Sequence, residues 1–144
     1  MANATSDLTI DAYGKGGRDI LMGMGATAQV YKGTMVSQLA ADGGVVATST
    51  ALSGKAVGVA AHAQLGGAAV GDTRVEIETD RVFIFDNAAG PNDVDDTLEL
   101  FSVVYAEDDH TISDNDQAAS LEQAGLFMGR EPDGRVRVYI GPAA

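Results

Sequence analysis

Cysteine and tryptophan are both missing from this chain, and only two histidines and three prolines occur in its 144 residues. Without cysteine there can be no disulfide and no thiolate metal site, and the redox compartment leaves no mark on the sequence. Aromatic residues make up 6% of the chain, and the lack of tryptophan counts against a carbohydrate-binding surface, which normally presents exposed aromatics. No apolar run approaches the ~18 residues that span a bilayer. The N-terminus also lacks a basic-then-apolar signal pattern, so the sequence predicts a soluble protein made without an export signal or membrane contact. Positive charge is scarce as well: nine Lys and Arg face 21 Asp and Glu, a net charge of −12. Lys15, Arg18, Lys32 and Lys55 balance Asp7, Asp11, Asp19 and Asp42 across residues 1–71. Residues 72–144 therefore carry the whole excess, with five basic and seventeen acidic side chains. Such a surface repels phosphate backbones and excludes nucleic acid as a partner. The neutral half is the better face for contact with another protein.

What is present points to strands. The chain is 45% hydrophobic and holds 18 glycines, a composition that suits short strands joined by tight turns. Its length fits one domain with a real core. Residues 72–87 organise the reading. Arg74-Val75-Glu76-Ile77-Glu78 alternates charged and β-branched residues, as a strand does with one wet and one buried face. Val82-Phe83-Ile84-Phe85 is apolar on both faces, as in a strand covered on each side. Thr79-Asp80 between them predicts a tight turn or bulge.

Along the rest of the chain, residues 1–28 sustain no helical or strand period and read as an arm that orders against a partner. Leu8, Ile10, Tyr13, Ile20, Leu21, Met22 and Met24 are its apolar residues and the candidate contact set. The β domain then occupies residues 29–144. Gly33 interrupts a strand over 28–39, Asp42-Gly43-Gly44 turns into a strand over 45–50, and Ala56-Val57-Gly58-Val59-Ala60 is another. A loop over 64–71 precedes the central pair, and a single helical turn at 97–100 precedes a strand over 101–106. Ser113 and Asp116 resemble a capping pair, which predicts one short helix near 115–124, stopped by Gly125. Glu131-Pro132-Asp133-Gly134 predicts a hairpin turn between strands at 126–130 and 135–140, with Val136, Val138 and Ile140 inward. The expected fold is all-β: a small antiparallel barrel or sandwich of about seven to nine strands with an N-terminal arm.

Candidate chemistry is sparse. Gly14-Lys15-Gly16-Gly17-Arg18 lacks the spacer and the Lys-Ser/Thr ending of a phosphate-binding loop. Glu107-Asp108-Asp109-His110 reads as a solvated turn, because adjacent strand residues face opposite ways and at most two would share an ion. Asp93, Asp95, Asp96 and Glu99 lack calcium-loop spacing. Nothing pairs His62 with His110, and no nucleophile-elbow glycines surround any serine. The expectation is a protein with no catalytic, cofactor or metal site.

Several ordered segments carry a resemblance. They are Val30-Tyr31-Lys32-Gly33, Val57-Gly58-Val59-Ala60, Val75 through Val82-Phe83-Ile84-Phe85 to Asn87, and Glu99-Leu100 leading to Tyr105. Asp108-Asp109, Thr111-Ile112, Ala124-Gly125 and Gly134-Arg135-Val136-Arg137-Val138 complete the series. In order and spacing the chain resembles the capsid cement, or head decoration, proteins of tailed bacteriophages over residues 28–140. It departs from them at Arg81 and Phe101, where such proteins often carry glycine. The resemblance implies a structural protein on the outer surface of the virion capsid, made in the host cytoplasm. It would bind the major capsid protein of expanded heads, often as a homotrimer. Phe83, Phe85, Phe101 and Tyr139 are the candidates for a subunit seam. A carbohydrate- or host-surface-binding β module on the virion is the alternative.

Overall fold

The computed structural model describes residues 3–10, 12–13, 17–49 and 54–141. Thirteen strands run in the order β1 (Ala12–Tyr13), β2 (Arg18–Gly23), β3 (Gln29–Val30), β4 (Met35–Gln38), β5 (Val45–Ala47), β6 (Ala56–Ala60) and β7 (Gln64–Leu65). They continue with β8 (Arg74–Thr79), β9 (Arg81–Asn87), β10 (Val103–Ala106), β11 (Thr111–Ser113), β12 (Glu122–Arg130) and β13 (Val136–Ile140). Helix among the described residues is confined to one 3-10 turn, Gly90–Asn92. The protein is all-β, as its composition predicts.

Two main sheets meet at Asp80, and β3 and β7 pair as a separate two-stranded ribbon. β9, β11, β10, β12 and β13 pair in that order, and β13 pairs back onto β9, closing a five-stranded barrel with β1 added beside β9. All its pairings are antiparallel except β11 with β9. β2, β8, β6, β4 and β5 form a second, antiparallel sheet, whose two edges meet at a bridge between Met24 and Val45. Val75, Ile77 and Thr79 of β8 turn inward and Arg74 and Glu76 outward, as the alternation predicts. Asp80 then takes a left-handed φ of 60°, and its N–H donates to the Ile140 carbonyl at 2.8 Å. The expected turn is therefore a corner between sheets, since β8 and β9 never pair with each other.

The barrel core holds Phe83 and Phe85 with Val104, Ile112, Phe127, Val136, Val138 and Ile140. A second cluster under the other sheet joins Met24, Val30, Val36, Val45, Val75 and Ile77. Each such side chain contributes about 1.5–3 kcal/mol on full burial. At the β12–β13 hairpin, Gly134 has a φ of 94° and donates its N–H to the Glu131 carbonyl at 2.9 Å. That is the predicted type I turn with glycine in the left-handed position.

Two expectations fail. The helix near 115–124 does not form, because Gln117, Ala118 and Ala119 all have left-handed φ values of 49°, 62° and 63°. Asn115 Oδ1 accepts the Gln117 N–H and Ser113 Oγ donates to the Asn115 carbonyl, so the would-be cap Ser113 is spent on a local turn. β12 starts at Glu122 instead, and Ala124 and Phe127 pack into the barrel across a register shift. Residue 28 is also not where the fold divides. β2 lies along β8 over six residue pairs, Met24 is fully buried, and the Leu8 N–H donates to the Lys32 carbonyl. Of the glycine-rich stretch, Gly14, Lys15 and Gly16 lie outside the described residues.

Candidate functional site

β2 is an edge strand. β8 covers one side of it, and among the described residues nothing pairs with the outer side over 18–23. Unpaired N–H and C=O groups on such an edge are a template for another chain. The strand is also apolar where it is open: Ile20 is 43% and Leu21 58% exposed. Alternation sends these two side chains to opposite faces. Ile20 and Met22 line an open groove of about 270 Å³ with Val57, Ile77, Lys55 and Arg18, which pairs with Asp80 at 3.6 Å. An apolar groove edged by cations is distinctive on a chain of net charge −12.

The seven residues of the expected contact set are not brought together. Ile20 and Leu21 are open, Met22 is partly buried against the second core, and Met24 lies wholly inside it. Ile10 packs against the barrel core and Leu8 is partly buried. The Tyr13 side chain lies outside the described residues. Ile20 and Met22 share the groove, and Leu21 is exposed on the opposite face of the same strand.

The seam candidates separate in the same way. Phe83 and Phe85 face into the barrel, with ring centroids 6.3 Å apart, and so present nothing to a neighbour. Inward alternation along β9 decides this, and the apolar run hid it because Val82 and Ile84 are half-buried on the outside. Tyr139 is partly exposed and donates its hydroxyl to Asp80 Oδ1 at 2.5 Å. Phe101 is 64% exposed, beside exposed Leu100 and Val103. It holds a left-handed φ of 70°, which is strained for an aromatic residue. Its N–H donates to the Phe127 carbonyl, and the Phe127 N–H donates to Ser102. The strand register therefore fixes it there.

The bend at 107–110 differs most from its sequence reading. Asp108 and Asp109 are 1% and 2% exposed, so the segment is no solvated turn. It is a bend rather than a strand, and its successive side chains converge instead of alternating. His110 Nδ1 lies 3.1 Å from Asp108 Oδ1 and 2.9 Å from Asp109 Oδ1. The His110 N–H donates to Asp108 Oδ1 at 2.9 Å. Asp109 Oδ1 also accepts the Ala4 N–H, and the Asp109 N–H donates to Asn3 Oδ1. Burial pushes the Asp109 carboxyl above its ordinary range, against the pull of the His110 hydrogen bond. His62 is remote from this group in its bonding: its Nε2 accepts the Glu76 N–H.

The second acidic run behaves as an ordinary surface. Asp95 binds the Thr97 hydroxyl and N–H, and Asp96 pairs with Arg130 at 3.0 Å. These contacts hold both carboxyls below the usual range. No helix among the described residues is long and apolar enough to cross a membrane. Comparison of the chain with family models, with curated proteins and with solved structures finds no match to any of them.

Proposed function

We propose that this protein is a capsid cement protein of a tailed bacteriophage, which binds the outside of the expanded head and bridges neighbouring capsomers. The open edge of β2, with Ile20 and Leu21 exposed along it, is the observation that carries the reading. Unpaired backbone and exposed apolar side chains on the charge-balanced half of the chain are what a docking strand needs. The resemblance supplies the partner. Its segments at residues 82–85, 111–112 and 124–125 fall within the barrel strands β9, β11 and β12, Glu99-Leu100 leads into β10, and 134–138 runs from the hairpin turn into β13.

Physical reasoning supports the role. Packaged DNA presses a thin shell outward, and any protein bound only to the closed shell adds its binding free energy to the cost of opening it. Many copies act together, so modest affinity at each site suffices. The major capsid protein would lay an apolar segment, acidic at its flank, along β2 between Arg18 and Lys55. The exposed acids Asp93, Asp95, Asp96, Glu99 and Asp133 of the barrel half would point to solvent.

A homotrimer on the head is part of the proposal. Leu100, Phe101 and Val103 offer the exposed apolar surface that a subunit seam would cover. The role is tested by heating heads that lack the protein, with and without its addition, and following DNA release. A higher release temperature on addition supports the reading. An unchanged release curve at saturating protein refutes it.

A further inference from the structure

The bend at 107–110 has no part in head binding as proposed, yet its chemistry is unusual for a structural turn. Among the described residues, Asp108, Asp109 and His110 are the group of carboxylate and imidazole side chains whose ligand atoms converge. Hydrogen bonding alone leaves two requirements unmet. His110 Nδ1 carries at most one proton for two carboxylates that are almost wholly buried, and an uncompensated buried carboxylate is strongly unfavourable. In addition, Asp108 Oδ2 is buried and accepts no hydrogen bond. Thr111 Oγ1, one residue beyond His110, is likewise buried and unpartnered. Native interiors rarely leave such atoms unmatched.

The spacing suits an ion. Nδ1 stands 3.1 Å and 2.9 Å from the two Oδ1 atoms. Ligands about 2.1 Å from a cation are separated by about 3.0 Å in octahedral and about 3.4 Å in tetrahedral coordination, so these atoms need open by only a few tenths of an ångström to take either. Two carboxylates and a neutral imidazole balance a charge of +2. The imidazole nitrogen favours a borderline cation over calcium or magnesium, which take oxygen ligands. We propose that Asp108, Asp109 and His110 bind one divalent cation of the Zn²⁺ class, through carboxylate oxygens of both aspartates and Nδ1 of His110.

The surrounding hydrogen bonds give this site a consequence. The Met35 N–H donates to the Asp109 carbonyl, the Asp86 N–H donates to the His110 carbonyl, and Asn3 and Ala4 bond Asp109. An ion here fastens the N-terminal segment, β4 and β9 at one point. Loading therefore stabilises the whole fold.

The test is calorimetric titration of chelator-treated, full-length protein with Zn²⁺, together with thermal unfolding and nitrogen NMR of the two imidazoles. The expected result is one ion per chain, a raised Tm, and a shifted Nδ1 resonance for His110 alone. Loss of an outer partner of a metal ligand already costs roughly 10–100-fold in affinity, so Asp108→Asn and His110→Ala should each lose at least about tenfold. His62→Ala should bind as the natural chain does. His110 has a partly exposed side chain, so His110→Ala reads the site even where Asp108→Asn fails to fold. No heat and no Tm shift, or full binding by His110→Ala, or loss of binding on His62→Ala, would overturn the site.

Discussion

Glu122 of the barrel strand β12 accepts the backbone N–H of Ser49, 73 residues away and just beyond the end of β5. The same carboxylate accepts the Ser37 hydroxyl at 3.3 Å, and Ser37 shares a 2.8 Å hydrogen bond with Thr48. Ser49 in turn donates its hydroxyl to the Ala106 carbonyl of the barrel at 2.7 Å. One buried acid thus joins the two sheets. Glu122→Ala would take the acceptor from the half-buried Ser49 N–H and leave the Ser37 hydroxyl with Thr48 alone. The expected loss in urea unfolding is about 2–4 kcal/mol, with Glu122→Gln losing distinctly less. A change below about 0.5 kcal/mol for the alanine variant would show that the linkage is ornamental.

Gly58 sets the distance between β6 and β8. A Cβ there would lie 2.4 Å from the Glu78 carbonyl oxygen and 2.5 Å from Ile77 Cγ2. Neither backbone nor buried core can yield cheaply, so Gly58→Ala should destabilise by about 1–3 kcal/mol. Equal stability would mean that the two strands separate without penalty.

Tyr139 and Asp80 predict a signature at high pH. The hydrogen bond to Asp80 is the main cause that raises the Tyr139 phenol above its ordinary value of 10.0. The native state therefore holds this proton longer than the unfolded state. Its stabilisation is complete below about pH 10 and fades as pH rises through the higher native value. In an absorbance titration of the four tyrosines, Tyr139 should ionise above the ordinary range, and Asp80→Asn should bring it back. Asparagine tolerates the left-handed φ at position 80, which makes this variant a clean one. An unchanged titration would remove the Asp80 carboxylate as the cause.

Charge placed on the open edge should separate docking from folding. Leu21 is 58% exposed, so Leu21→Asp removes apolar docking surface at a modest expense to the fold, about 0.5–1 kcal/mol, because it faces Glu76 across the β2–β8 ladder. Head binding should fall by tenfold or more, roughly 1.4 kcal/mol. Removing residues 1–24 outright is a poorer experiment, because it takes away β2 and the buried Met24. Undiminished binding by Leu21→Asp would place the docking surface elsewhere.

The strands whose faces differ were legible in the sequence: β8 from its alternation, and β13 with its turn from Pro132-Asp133-Gly134. Those features are local, and tertiary packing reinforced them. The helix expected at 115–124 failed because helix-forming residues were set between Asn and Ser side chains that bond the backbone of a left-handed turn. Composition does not show that competition. β2 was illegible for another reason: Ile20-Leu21-Met22 is apolar on both faces while exposed on an edge, so no period marks it. The bend at 108–110 reads in sequence as acidic surface. Its burial follows from Met35 and Asp86 closing over it, contacts 74 and 24 residues away respectively in the chain.

Saturable binding to expanded heads tests the central claim most directly. Heads lacking the protein would be titrated with it and sedimented through a gradient, beside unexpanded precursor heads from the same source. The account predicts co-sedimentation that saturates on expanded heads, is weaker on precursors, and is lost with Leu21→Asp. Absence of binding to either form would contradict it.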